Sequence, residues 1–187
     1  MAYGPRLDQI SFLIADDCAP TRQLVRAILR GFGITMVREA ESGDEAMQAI
    51  QARLPDVLIT DWAMEPMTGL QLTKLIRTHQ DSPNPFMPII MMTGYSARDR
   101  VFRARDAGVT EFLVKPVSPR GLFSRIQAIV EKPRPFIRVG AYFGPDRRRR
   151  KEHWDGEERR GRDGSTWAKL PRLGPMTQSE INKLFNP

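Results

Sequence analysis

Five side chains able to do chemistry stand directly after short apolar runs. Asp16 and Asp17 follow residues 10–15, Asp61 follows residues 57–60, Thr93 follows residues 89–92, and Lys115 follows residues 111–114. Three carboxylates gathered in one pocket repel one another and raise each other's pKa unless a cation lies between them. An all-oxygen donor set of this kind suits Mg²⁺, which takes few protein ligands and keeps several waters. A lysine adds fixed positive charge, and a threonine hydroxyl with a backbone N–H donates hydrogen bonds. Together these are the parts that stabilise a phosphoryl group in transfer. Asp61 is then the nucleophile, since a carboxylate can form an aspartyl phosphate. Singly, each residue has a plainer reading. The Asp pair can cap a helix, Asp61 can cap the following turn, Thr93-Gly94 can be a turn, and Lys115-Pro116 a surface loop. Their shared position at the ends of strands favours chemistry.

The elements that must position them alternate strictly. Strands are read at residues 10–15, 34–40, 57–60, 89–92 and 111–114. Each is followed by a helical pattern: 21–30, from 43 onward, 69–78, 96–107 and 118–131. The first helix puts Leu24, Ile28 and Leu29 on one face and Arg22, Arg26 and Arg30 on another. Ser42 caps the second, with Asp44 and Glu45 in its first turn. Residues 80–88 hold three prolines and form a loop. The fourth helix is rich in arginine, at 98, 100, 103 and 105, and Gly108 closes it. Five strands each followed by a helix predict an α/β fold with an open parallel sheet, helices on both faces and right-handed crossovers. A closed eight-fold barrel needs about 250 residues. The flavodoxin-like (βα)5 arrangement with strand order 2-1-3-4-5 fits better. It brings the ends of strands one, three and four to the crevice where ligands bind in such sheets.

Charge divides the chain. Residues 1–131 carry 15 basic and 15 acidic groups, and residues 132–187 carry 14 basic against 7 acidic, so the whole net charge of +7 lies in the tail. That predicts a boundary near Lys132-Pro133, with a domain over 1–131 and a basic, largely irregular extension over 132–187. No apolar run approaches the roughly 18–20 residues of a membrane span, and residues 1–6 have no signal-peptide core. The single cysteine, Cys18, rules out an internal disulfide and fits a cytoplasmic protein. One cysteine and two histidines argue against a Cys/His zinc site.

Residues of about 9–131, roughly two-thirds of the chain, resemble the receiver domain of two-component response regulators, of the stand-alone chemotaxis type. The resemblance rests on Asp16-Asp17, on Asp61 within Asp-Trp-x-Met-x-Pro-Met-x-Gly, on Thr93-Gly94, and on Phe112-x-x-Lys115-Pro116. It implies that Asp61 accepts a phosphoryl group from a histidine kinase or phosphotransfer protein. Asp17, Asp61 and the backbone carbonyl of Ala63 would ligate Mg²⁺, with Asp16 supporting the metal through water. Lys115 would pair with the phosphoryl oxygens, Thr93 would move to hydrogen-bond them, Phe112 would turn inward, and Lys115-Pro116 would be cis. A downstream protein would read the face formed by residues 96–131. Such a protein catalyses only its own phosphoryl transfer and autodephosphorylation. Two positions depart from the commonest pattern: the loop proline is Pro66, one place later, and the switch aromatic is Phe112, whose ring edge makes no hydrogen bond.

In the tail, residues 136–143 read as one strand and Gly144-Pro145 as a turn. A basic run follows at 147–151, with Trp154 and Trp167 beyond it. Thr177 to Glu180 has capping-box spacing for a short helix with Ile181, Leu184 and Phe185 on one face, which would dock on the receiver or on a partner. The basic run opens an alternative function, a receiver-gated regulator that binds nucleic acid through its tail. A receiver that has lost phosphorylation and serves as a scaffold is disfavoured by the complete acidic pair, Asp61, Thr93 and Lys115. An aspartyl phosphatase is disfavoured because Ala63, two places after Asp61, supplies no acid.

Overall fold

Strands β1 (Phe12–Ala15), β3 (Val57–Asp61) and β4 (Ile89–Thr93) are buried from end to end, as strands covered on both faces should be. In the computed structural model, which describes residues 7–94, 98–147, 178, 179 and 181, they form the middle of a five-stranded sheet. The outer strands are β2 (Val37–Ala40) and β5 (Glu111–Val114). The order is β2-β1-β3-β4-β5, and all four pairings are parallel.

The pleat sends alternate residues to opposite faces. Phe12, Ile14, Val57, Ile59, Ile90, Met92 and Leu113 pack on one side, under α1 (Ala19–Gly31) and α5 (Pro119–Glu131). Leu13, Ala15, Leu58 and Ile89 face the other way, under α2 (Gly43–Ala52) and α3 (Gly69–Thr78). Met91 and Phe112 share that second side and lie beneath α4 (Arg98–Asp106). Among the described residues no helix is long and apolar enough to cross a membrane.

Several local readings are corrected. β2 begins at Val37 rather than Ile34, because Gly33 takes φ +81° and the ladder with β1 starts only at the Phe12–Val37 pair. α1 begins two residues earlier, at Ala19, with Pro20 in its first turn. Its buried stripe is Arg22, Val25, Ile28 and Leu29, whereas Leu24 is 47% exposed. Residues 136–143 are not one strand. β6 (Phe136–Val139) and β7 (Tyr142–Pro145) form an antiparallel hairpin that reverses at Gly140, which takes φ +56°. Gly144 and Pro145, read as a turn, pair instead with Ile137 and Phe136.

The hairpin packs at the amino-terminal ends of the strands. Phe136 and Phe143 each meet Phe86 edge-on, with ring centroids 5.4 and 5.2 Å away. The Arg77 guanidinium lies 5.0 Å from the Phe136 ring centroid. Of the basic run only Arg147 is described. It pairs with Asp106 at 3.1 Å and stacks on Tyr142. The rest of that run, Trp154, Trp167, Thr177, Glu180, Leu184 and Phe185 lie outside the described residues.

Candidate functional site at the carboxyl ends of the strands

Register assembles the site. Ala15 is level with Thr60, so Asp16 emerges beside Asp61 on the neighbouring strand. Asp61 is level with Met92, and Thr93 with Val114. The Lys115 N–H donates to the Thr93 carbonyl at 2.8 Å, which brings the lysine to the same edge. One carboxylate oxygen each from Asp16, Asp17 and Asp61 lies within 4.8 Å of the others. The Lys115 ammonium bridges two of them, 2.8 Å from Asp16 Oδ2 and 2.9 Å from Asp61 Oδ1.

The other oxygen of Asp16 and of Asp61 also has a donor. The Cys18 N–H reaches Asp16 Oδ1 at 2.9 Å, and the Ala63 N–H reaches Asp61 Oδ2 at 3.2 Å. Asp16 is completely buried, and burial raises its pKa against the opposing pull of Lys115 and the Cys18 N–H. For Lys115, burial works to lower the pKa, but the hydrogen bonds to Asp16 and Asp61 outweigh it and the net shift is upward. The lysine is therefore firmly cationic at neutral pH. Asp17 is exposed at the rim. This all-oxygen trio fits a hard divalent cation such as Mg²⁺, since one ammonium leaves the three carboxylates with excess negative charge.

The loop after Asp61 is clamped at its far end. The Gly69 N–H donates to the Trp62 carbonyl at 3.1 Å, and a Cβ at Gly69 would lie 1.9 Å from the Asp61 carbonyl oxygen. α3 can begin there only because residue 69 has no side chain. A complete capping box between Thr68 and Gln71 fixes the helix start. The loop contains a cis Glu65–Pro66 bond, and Lys115–Pro116 is also cis.

The structure therefore brings Asp16, Asp17, Asp61 and Lys115 into one cluster, with Ala63 joined through its amide. Thr93 is buried at the end of β4 and linked to Lys115 through the backbone. Phe112 lies outside the acidic pocket. Its ring is fully buried under α4, in a cluster with Trp62, Met91, Val101 and Ile181.

Two supporting residues escaped the sequence reading. Arg22, assigned there to the polar face of its helix, is buried and donates from Nη1 to the Asp16 backbone carbonyl at 2.8 Å. It also pairs with Glu39 and Glu41, and those two acids on and just after the second strand were the available signal. Gln178 was the other: its side chain bonds the backbone of Phe112 and Val114.

Comparison with known proteins agrees with this geometry. Residues 12–127 match the family model described as the response regulator receiver domain. The chemotaxis protein CheY of Pseudomonas aeruginosa is 33% identical over 123 residues, which span 66% of this chain and 98% of that protein. CheY1 of Helicobacter pylori is 36% identical over 122 residues, 65% of this chain and 97% of that one. Among solved structures, chemotaxis protein CheY4 of Vibrio cholerae superposes with a TM-score of 0.59 at 32% identity, covering 64% of this chain and 98% of that one.

Proposed function

The chain belongs to the response regulator receiver domain family, and from that premise we propose that it is a phosphorylation-dependent switch whose acceptor is Asp61. The donor is a phosphohistidine on a histidine kinase or a phosphotransfer protein. An Asp61 carboxylate oxygen attacks phosphorus, the P–N bond breaks, and the released imidazole takes up a proton. The observation that carries the reading is Lys115 held 2.9 Å from Asp61 Oδ1 while also tied to Asp16. A cation already in that place needs little reorganisation to meet the phosphoryl oxygens as charge develops on them.

Mg²⁺, held by Asp17, Asp61 and the Ala63 carbonyl with Asp16 behind, would neutralise charge on the transferring group. The chain's own residues do the rest. Arg22 and the Cys18 N–H hold Asp16 in place, and the Ala63 N–H orients Asp61. Thr93 and Phe112 are the switch pair: the new phosphoryl acceptor draws the Thr93 hydroxyl, and the equilibrium of the α4–β5–α5 face shifts with it. A downstream protein reads that face. The chain is not a turnover enzyme, and its only chemistry is phosphoryl transfer to and from itself. The single cysteine is exposed, which fits a reducing cytoplasm.

The test is intact-protein mass after incubation with Mg²⁺ and acetyl phosphate. The wild type should gain one phosphoryl group and Asp61→Asn none. A wild type that gains nothing while retaining its far-UV circular dichroism would sink the proposal.

A further inference from the structure

The outer edge of the sheet is already occupied by the chain itself. β5 is the last strand, and an edge strand leaves a row of peptide groups unpaired by any neighbouring strand. Because the Lys115 N–H points inward to Thr93, the alternation of a parallel strand turns the N–H of Val114 and the carbonyl of Phe112 outward. Both meet the Gln178 carboxamide. Its Oε1 accepts from the Val114 N–H at 2.6 Å, and its Nε2 donates to the Phe112 carbonyl at 3.4 Å. A carboxamide has the donor and acceptor of a peptide group, so one side chain continues the sheet by a single rung.

Ile181 supplies the apolar half of the contact. It is fully buried in the cluster that holds Trp62, Met91, Val101, Ala104 and Phe112. Gln178, Ser179 and Ile181 are helical, and positions three apart lie on one helix face, so the two anchors point the same way. Thirty residues separate Arg147 from Gln178, enough chain to return to the receiver as a tethered ligand of high effective concentration.

We propose that the segment bearing Gln178 and Ile181 is a resident intramolecular ligand of the α4–β5 face, one that a protein partner must displace. The partner that fits is a short helix presenting a carboxamide three residues before an aliphatic side chain. The consequence for signalling rests on the switch reading above. Phe112 and Ile181 are buried in the same cluster, so docking of the segment favours the inward ring. Segment docking and the inward position of Phe112 are then coupled. Whatever phosphorylation does to the affinity for the segment, the segment does to phosphorylation by the same factor.

The experiment is site-resolved amide exchange on the full chain, without Mg²⁺ or phosphodonor, so its outcome is independent of whether Asp61 takes phosphate. In Ile181→Asp the Val114 amide should exchange at least about tenfold faster than in the wild type, because burying that side chain is what holds the carboxamide in place. The amides of Lys115 and Thr110, which bond to β4 at 2.8 and 2.9 Å, should stay protected and show that the sheet is intact. Ile181→Leu should behave as the wild type. Equal Val114 exchange in wild type and Ile181→Asp would overturn the proposal. So would Val114 protection that rises with protein concentration, since a second copy would then supply the segment.

Discussion

Replacing Gly69 by alanine tests the clamp behind Asp61 most directly. The added Cβ would lie 1.9 Å from the Asp61 carbonyl oxygen and 2.8 Å from Thr60 Oγ1, whereas ordinary contact begins at 3.4 Å. The two segments must therefore separate by about 1.5 Å. Neither side is free to yield. α3 is held by its capping box, by the Gly69–Trp62 hydrogen bond, and by the Thr73 hydroxyl on the Gly69 carbonyl at 2.8 Å. Asp61 is held in the ladder with β4, where the next N–H, of Trp62, donates to the Met92 carbonyl at 2.9 Å. Overpacking costs about 1–3 kcal/mol, and a backbone collision between two anchored elements belongs at the upper end. About 3 kcal/mol corresponds to a fall of roughly 10 °C in Tm for a domain of this size. Displacing the carboxylate by about 1 Å should also slow phosphoryl gain from acetyl phosphate by about a hundredfold. Gly31→Ala is the control. Its Cβ meets nothing within 4 Å, and at the last residue of α1 the gain should be no more than about 0.5 kcal/mol. Thermal unfolding and intact mass on both variants decide the matter. A Gly69→Ala protein within about 0.5 kcal/mol of wild type, with unchanged phosphorylation, would refute the clamp.

Two further outcomes are expected. Arg125 and Glu111 are both buried, with Arg125 Nη1 3.3 Å from Glu111 Oε2 and Arg134 at 3.8 Å from the other oxygen. Arg125→Met should cost about 3 kcal/mol in urea unfolding, the lower end for a broken buried pair because Arg134 remains, and adding Glu111→Leu should recover most of it. A loss under about 1 kcal/mol for the single change would show that Arg134 suffices alone. For the acidic trio, saturating Mg²⁺ should raise the Tm of the wild type, by the equivalent of about 2.7 kcal/mol at a hundred times Kd. Asp17→Asn should lose most of that rise, and an equal rise in both proteins would remove Asp17 from the metal site.

Much of the architecture could be read from the chain because the decisive features are local. Apolar runs ending in Asp16, Asp61, Thr93 and Lys115 mark both a buried parallel strand and its carboxyl end, so strand order alone gathers these residues on one edge. What stayed hidden depends on contacts remote in sequence. Arg22 looks like its neighbours Arg26 and Arg30, and only its hydrogen bond to the Asp16 carbonyl shows that it turns inward. Leu24 has the right composition for the core but the wrong angle on the helix, and Val25 takes the place. The hairpin was masked because Gly140 sits among strand-forming residues, and only its positive φ makes the reversal. The role of Gln178 has no local signature, since a carboxamide becomes a strand substitute only beside an edge.

The hairpin also bears on where the molecule can be trimmed. It meets the receiver glycine to glycine: a Cβ at Gly144 would lie 2.8 Å from the Gly108 Cα, and one at Gly108 would lie 2.8 Å from the Phe143 carbonyl oxygen. Contact that close tolerates no substituent on either side, and it carries Phe136 and Phe143 onto Phe86. Charge composition invites a stop codon near residue 132, ahead of the hairpin. A protein ended there would uncover the rest of Phe86, already 54% exposed, and strip Arg77 of its aromatic neighbour, enlarging an apolar patch at the end of the sheet opposite the acidic pocket. Cutting after Arg147 keeps that seal but takes Ile181 from the cluster under α4, so packing rather than charge decides where the chain can be cut.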